Sequence, residues 1–121
     1  MYVKHDTLSK DIKNRRIKDD KFHSDTIKKY SKQLLSGIEY LHSVNIIHRD
    51  IKPSNIFING PNLVIGDLGH AKQFEESVNN AVSASTPFGT LPYNAPEYFV
   101  TDPTNQNSIK YSSKTDIWFI F

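Results

Sequence analysis

HRDIKPSNIFINGPNLVIGD, residues 48–67, sets a carboxylate, two cations and an amide just ahead of two short apolar runs separated by a turn. The runs NIFI (55–58) and LVIG (63–66) carry β-branched and aromatic residues, and NGPN (59–62) between them is turn chemistry. Together they predict a β-hairpin. The two ends of a hairpin lie side by side. Asn55, just before the first strand, and Asp67, just after the second, therefore become neighbours despite their separation in sequence.

Asn55 offers an amide oxygen and Asp67 a carboxylate. A sparse set of hard oxygens is what Mg²⁺ accepts when phosphates and water complete its octahedron. Asp50 and Lys52, held in the same loop, add a carboxylate able to take a proton and an ammonium. Phosphoryl transfer from a nucleotide needs these parts: developing phosphate charge must be neutralised and a hydroxyl aimed in line.

Upstream, SDTIKKYSKQLLSGIEYLHS (24–43) places Ile27, Tyr30, Leu34, Ile38 and Leu41 at steps of three and four, one stripe of an α-helix. Ser24 is its expected N-cap, and Asp25 suits the dipole of the first turn. Gly37 inside it costs ~1 kcal/mol against Ala, which predicts close packing at that point. Residues 10–23 read as a short helix followed by a loop, and a turn is expected near Asn45. Residues 75–90, rich in Ser, Asn and Thr, predict a long mobile loop. PYNAPEYFV (92–100) predicts a turn running into a short helix, 101–115 a polar connection, and DIWFIF (116–121) the start of a buried helix.

The chain has 121 residues, one domain at most, with a formal net charge of +2 and no cysteine. Disulfides and thiolate metal sites are excluded, which fits a reducing compartment. MYVKHDTLSK lacks the apolar region of a secretory signal, and no apolar run reaches the ~20 residues of a membrane span. The expectation is an intracellular protein, cytoplasmic or nuclear. Lys13, Arg15, Arg16 and Lys18 are basic, but no aromatic interleaving suggests base stacking, so they read as a solvated face and no nucleic acid is expected.

In order along the chain, His48-Arg49-Asp50, Lys52, Asn55, Asp67-Leu68-Gly69, Gly89-Thr90, Ala95-Pro96-Glu97 and Asp116 with Trp118 resemble the eukaryotic protein kinases. The resemblance implies ATP and Mg²⁺ as cofactors and a protein substrate with a Ser or Thr acceptor. Asp50 is then the carboxylate that receives the substrate proton. Lys52 stabilises the transferred phosphoryl group and resembles serine/threonine rather than tyrosine kinases. Asn55 and Asp67 hold Mg²⁺, Thr90 buttresses the loop near the acceptor, and Tyr2 and Val3 lie near the adenine edge. Arg49 resembles the arginine that meets a phosphorylated activation loop, for which Ser83, Ser85 and Thr86 are candidate phosphosites. Asp116 resembles a helix carboxylate that bonds the backbone of the 48–50 loop, and Glu97 pairs with an arginine further along. His48 reads as packing beneath the loop. His5, His23, His42 and His70 read as surface residues.

The implied fold class is α+β, mainly α: residues 1–121 as a partial kinase domain, a truncated large (C-terminal) lobe whose short β-hairpin carries the catalytic and metal-binding loops. Leu68 stands where the family usually has Phe and is expected to keep an apolar contact. None of the five glycines makes a GxGxxG, and no VAIK-type lysine or helix glutamate of the small lobe is present. Losing two charge-assisted phosphate contacts weakens nucleotide binding by roughly 10²–10⁴-fold. The expectation is a serine/threonine protein kinase fragment, inactive alone. A non-catalytic, pseudokinase-like interaction module is the alternative. Phe119 and Phe121 depart from the family's D-x-W-S-x-G, which suggests a truncated reading frame and an exposed apolar tail.

Overall fold

Thr7 Oγ1 accepts the backbone N–H of Lys10 at 3.3 Å and so starts the first helix, α1 (Leu8–Ile17). The computed structural model describes residues 6–74, 81–84, 90–96, 109–118 and 120. No residue of α1 is fully buried; Leu8 packs against the core and local pairs support the rest. Asp6 meets Lys10 at 2.6 Å and Asp11 meets Arg15 at 3.1 Å. Arg15 also bonds Asp20 and lies 4.4 Å from the centre of the Phe22 ring, which packs edge-on against Tyr30. The guanidinium is held in its charged form chiefly by the Asp11 hydrogen bond. The expected helix-then-loop over 10–23 is present, with the helix starting two residues earlier.

The second helix, α2, spans Ser24–Ser43, as the apolar stripe predicts. His23 occupies the cap position, Ser24 is the first helical residue, and no side chain caps the first turn. Asp25 lies in that turn as expected. Asn45, at φ 60°, turns the chain out of the helix in the left-handed conformation that asparagine tolerates. Of the stripe, Ile38 is 1 % exposed whereas Ile27 is 52 % exposed.

The strands are β1 (Asp6–Thr7), β2 (Ile46–Ile47), β3 (Ile56–Asn59), β4 (Asn62–Ile65), β5 (Lys72–Gln73), β6 (Ala81–Ala84) and β7 (Ile109–Ser112). They form three small antiparallel sheets, β1-β3-β4, β2-β5 and β6-β7. The predicted hairpin is β3-β4, one residue nearer the turn than the runs 55–58 and 63–66: Ile56 faces Ile65 and Asn59 faces Asn62. Gly60, at φ 57°, supplies the left-handed residue the turn requires. Gln33 on α2 clamps the hairpin by bonding Asn62 Oδ1 at 2.8 Å and accepting Leu63 N at 2.9 Å. The close packing expected at Gly37 is real: a Cβ there would stand 3.0 Å from Ile65 Cδ1.

Ile38, Ile51 and Ile56 form the core, with Leu8, Leu34, Leu63, Ile65 and Ile120 packed against it. Helix α2, the loop after His48 and the hairpin each contribute one of the three central isoleucines, so the apolar contact and the loop position are set together.

Three expectations are corrected. Within the segment read as a loop, Ala81–Ala84 is a strand, and its partner lies in the stretch read as a polar connection. Val82, Ile109 and Tyr111 are β-formers diluted among Ser and Asn, and pairing across that distance has no local period to betray it. The final helix, α3 (Ser113–Trp118), starts three residues before Asp116 and is buried through polar residues, not apolar ones, whose exposure fits the expected apolar tail. Thr115 and Asp116 are fully buried, while Ile117 and Trp118 are 37 % and 52 % exposed, because the inward position is taken by a carboxylate with polar partners. Phe119 and Phe121 lie outside the described residues, as do 75–80, 85–89 and 97–108. Among the described residues no helix is long and apolar enough to cross a membrane.

Ile38→Ala is expected to lower the unfolding free energy in urea titration by about 2–5 kcal/mol. Ile27→Ala, on the same stripe but exposed, is expected to change it by no more than about 0.5 kcal/mol.

Candidate active site

The loop at 48–50 is shaped by a residue far away in sequence. Asp116 Oδ2 accepts the backbone N–H of His48 at 2.9 Å, and Oδ1 accepts that of Arg49 at 2.9 Å. Arg49 sits at φ 69°, a left-handed conformation that non-glycine residues adopt only when their surroundings impose it. The role expected of Asp116, bonding the loop backbone, is the one it plays. His48 packs beneath the loop as expected, fully buried. Its Nδ1 lies 3.2 Å from the Asp50 N–H, so that nitrogen accepts and Nε2 carries the proton toward Gly66 O at 2.9 Å.

Four of the sequence-selected residues meet in one hydrogen-bonded cluster. Asn55 Nδ2 donates to Asp50 O at 2.8 Å and to Asp50 Oδ2 at 3.0 Å. Lys52 Nζ lies 3.1 Å from Asp50 Oδ2 and donates to Thr90 Oγ1 at 2.7 Å. Thr90 Oγ1 in turn stands 3.3 Å from Asp50 Oδ1. The Asp50 carboxylate is thus fixed from both sides. Thr90 reaches it from the far end of the chain, on a short turn closed by Tyr93 N donating to Thr90 O at 2.8 Å.

Asp67 joins through the hairpin. Gly66 N donates to Asn55 O at 2.9 Å, one rung beyond the β3-β4 ladder, so Asp67 follows directly on the residue that faces Asn55. It is exposed, in a left-handed conformation at φ 57° and ψ 69°, with Oδ1 accepting the Gly69 N–H at 3.3 Å. Asn55 commits its nitrogen to Asp50, so Oδ1 is the atom its side chain could offer a metal ion. One amide oxygen and one carboxylate fit Mg²⁺ shared with phosphates and water, not a metal caged by protein. No cluster of three or more His, Cys, Asp or Glu suited to a metal ion occurs among the described residues.

Tyr2 and Val3 lie outside the described residues, as do Gly89, Glu97, Ser85 and Thr86, while Ser83 falls within β6. Arg49 Nε donates to His70 O at 2.6 Å, tying the loop to the segment after Asp67. Leu68 is 52 % exposed, not held in the apolar contact expected of it. It borders a shallow hollow of about 330 Å³ with Leu41, Val64 and Ile65.

His42 was read as a surface residue and is not one. Its Nε2 stands 2.8 Å from Asp116 Oδ2, with the side chain 19 % exposed. The available signal was its place four residues after Ile38, on the buried face of α2. Asn94, buried beside Ala95, gave no sequence signal at all.

A family model described as the protein kinase domain matches residues 1–120. The chain is 38% identical over 100 residues to the serine/threonine-protein kinase Nek9 of Xenopus laevis, covering 82% of this chain and 10% of that one. It is 43% identical over 94 residues to the serine/threonine-protein kinase US3 of human herpesvirus 1, covering 73% and 17%. It is 39% identical over 90 residues to mitogen-activated protein kinase kinase 9 of Arabidopsis thaliana, covering 74% and 27%. The chain therefore spans between a tenth and about a quarter of the length of these relatives.

Asp116→Ala strips two buried amides of their acceptor, each worth about 1–3 kcal/mol. The expected outcome is a destabilisation of about 2–5 kcal/mol in urea titration, with amide hydrogen exchange accelerated at His48 and Arg49 and unchanged in the middle of α1.

Proposed function

The chain belongs to the protein kinase family, and we propose that it is the catalytic-loop and activation-segment portion of a serine/threonine protein kinase, forming part of the large lobe. The observation that carries this reading is the hydrogen-bonded cluster of Asp50, Lys52, Asn55 and Thr90, with Asp67 following the Gly66 amide that bonds Asn55 O. A Ser or Thr hydroxyl of a protein substrate attacks the γ-phosphorus of ATP, and the bond between that phosphorus and the ADP oxygen breaks. Asp50 takes the hydroxyl proton. Thr90 on one oxygen, and Asn55 with Lys52 on the other, hold its carboxylate in a single orientation, so the hydroxyl meets an acceptor already aimed. Lys52 brings positive charge to the transferred group, and its presence favours serine/threonine specificity. Asn55 and Asp67 would hold Mg²⁺, which would supply positive charge to offset that of the phosphates.

No GxGxxG flap or VAIK-type lysine occurs in this chain, so transfer by the chain alone is expected to be feeble and nucleotide binding is the firmer readout. ATP at about a hundredfold its dissociation constant stabilises by about 2.7 kcal/mol. The expected result is a rise of several degrees in melting temperature that requires Mg²⁺ and disappears in Asp67→Asn. Asp50→Asn is expected to keep the shift while cutting any labelled-phosphate transfer to a Ser/Thr protein by about 10²–10⁴-fold. A shift without Mg²⁺, or one that survives Asp67→Asn, overturns the reading.

A further inference from the structure

Arg15 takes two of the acids around α1 to itself: Nε donates to Asp11 Oδ2 at 3.1 Å and Nη1 bonds Asp20. Lys10 takes a third, meeting Asp6 at 2.6 Å. Lys13, Arg16, Lys18 and Lys21 are exposed, and their side chains have no ion pair or hydrogen bond among the described residues. Within residues 6–22 only Asp19 is left to set against those four cations. The imbalance extends along the chain. Residues 1–32 carry ten Lys or Arg against five Asp or Glu, a net +5, and residues 33–121 carry five against eight, a net −3.

Lys13, Arg16 and Ile17 fall at steps of three and four and share one side of α1. Leu8, Asp11 and Arg15 share the other, where Leu8 packs against the core, so the basic side is turned to solvent. Ile17 is 74 % exposed. A lone apolar side chain in water needs no explanation by itself. Set among four unpaired cations, it completes a surface that matches a layer with anionic groups outside and hydrocarbon beneath.

We propose that this side of α1, with the turn that follows it, docks on an anionic lipid surface. The cations face the charged headgroups, and Ile17 enters the headgroup layer. Nucleic acid fits less well. Phe22 and Tyr30, the next aromatic side chains along the chain, pack against each other, and Phe22 lies under the Arg15 guanidinium, so neither is presented for base stacking. An acidic protein segment would match the charge, but the convex side of a single helix offers its apolar side chains no groove. None of the residues assigned to phosphoryl transfer lies on this side, so the proposal stands apart from that reading.

The test sediments the 121-residue chain with vesicles of phosphatidylcholine alone and of phosphatidylcholine with phosphatidylserine at roughly two to one. Binding is expected on the mixed vesicles only, and is expected to fall at least tenfold when salt is raised to about 0.5 M. Lys13→Glu combined with Arg16→Glu is expected to lower the partition coefficient at least twenty-fivefold, at roughly fivefold for each cation lost. Ile17→Ser keeps every charge and is expected to lower it roughly fivefold. All three positions are exposed, so the melting temperature is expected to stay unchanged, and the salt series needs no variant. No binding to the mixed vesicles, equal binding to both kinds, or binding insensitive to salt overturns the proposal. So does a partition coefficient unchanged by the double charge reversal or by Ile17→Ser. Capture by single-stranded RNA or polyglutamate under conditions where the vesicles bind nothing overturns it in favour of those partners.

Discussion

The Asp116 carboxylate receives the backbone N–H groups of His48 and Arg49, and the shape of the site follows from that contact. A fully buried carboxylate is costly to desolvate, and only close, well-directed donors offset the cost. Asp116 has three: two backbone amides, and His42 at 2.8 Å on the oxygen that also serves His48. Arg49 would by itself avoid a left-handed φ, a strain of order 1–3 kcal/mol. Charge-assisted bonds from Asp116 to the His48 and Arg49 amides, with the Asp50 amide held by His48 Nδ1, keep it there. A helix near one end of the chain thereby dictates the backbone of a loop near the middle.

Once that backbone is set, the side chains have little choice. His48 turns under the loop and bonds Gly66 O, which ties the loop to the far strand of the hairpin just before Asp67. Asp50 comes within reach of Asn55 and Lys52, and Thr90 closes the cluster from the opposite side. The apolar core and the polar site share their supports: Ile51 lies between Asp50 and Lys52, and Ile56 follows Asn55. Burying those isoleucines against Ile38 and placing the reactive groups are one event.

The stretch after Asp67 is tied down twice. Arg49 Nε on His70 O fastens its start to the 48–50 loop, and β6 pairs with β7 further on. Because β7 runs directly into α3, with Ser112 N donating to Thr115 Oγ1 at 3.3 Å, the strand pair and the helix bearing Asp116 form one continuous structure.

What could be read from the residues alone was whatever repeats or closes locally. The stripe from Tyr30 to Leu41 defines α2, and a turn glycine between two β-branched runs defines the hairpin and its register, because backbone hydrogen bonds between near neighbours follow periods of 3.6 and 2. Asp50, Lys52, Asn55 and Asp67 were likewise legible as a set, since the hairpin and the loop before it bring them near one another over a short stretch of chain. The pairing of Ala81–Ala84 with Ile109–Ser112, the inward face of α3, the contact of His42 with Asp116 and the burial of Asn94 were decided only by the tertiary fold. Each depends on a contact between segments with no shared period, where packing of the whole chain, not the preference of any stretch, selects the partner.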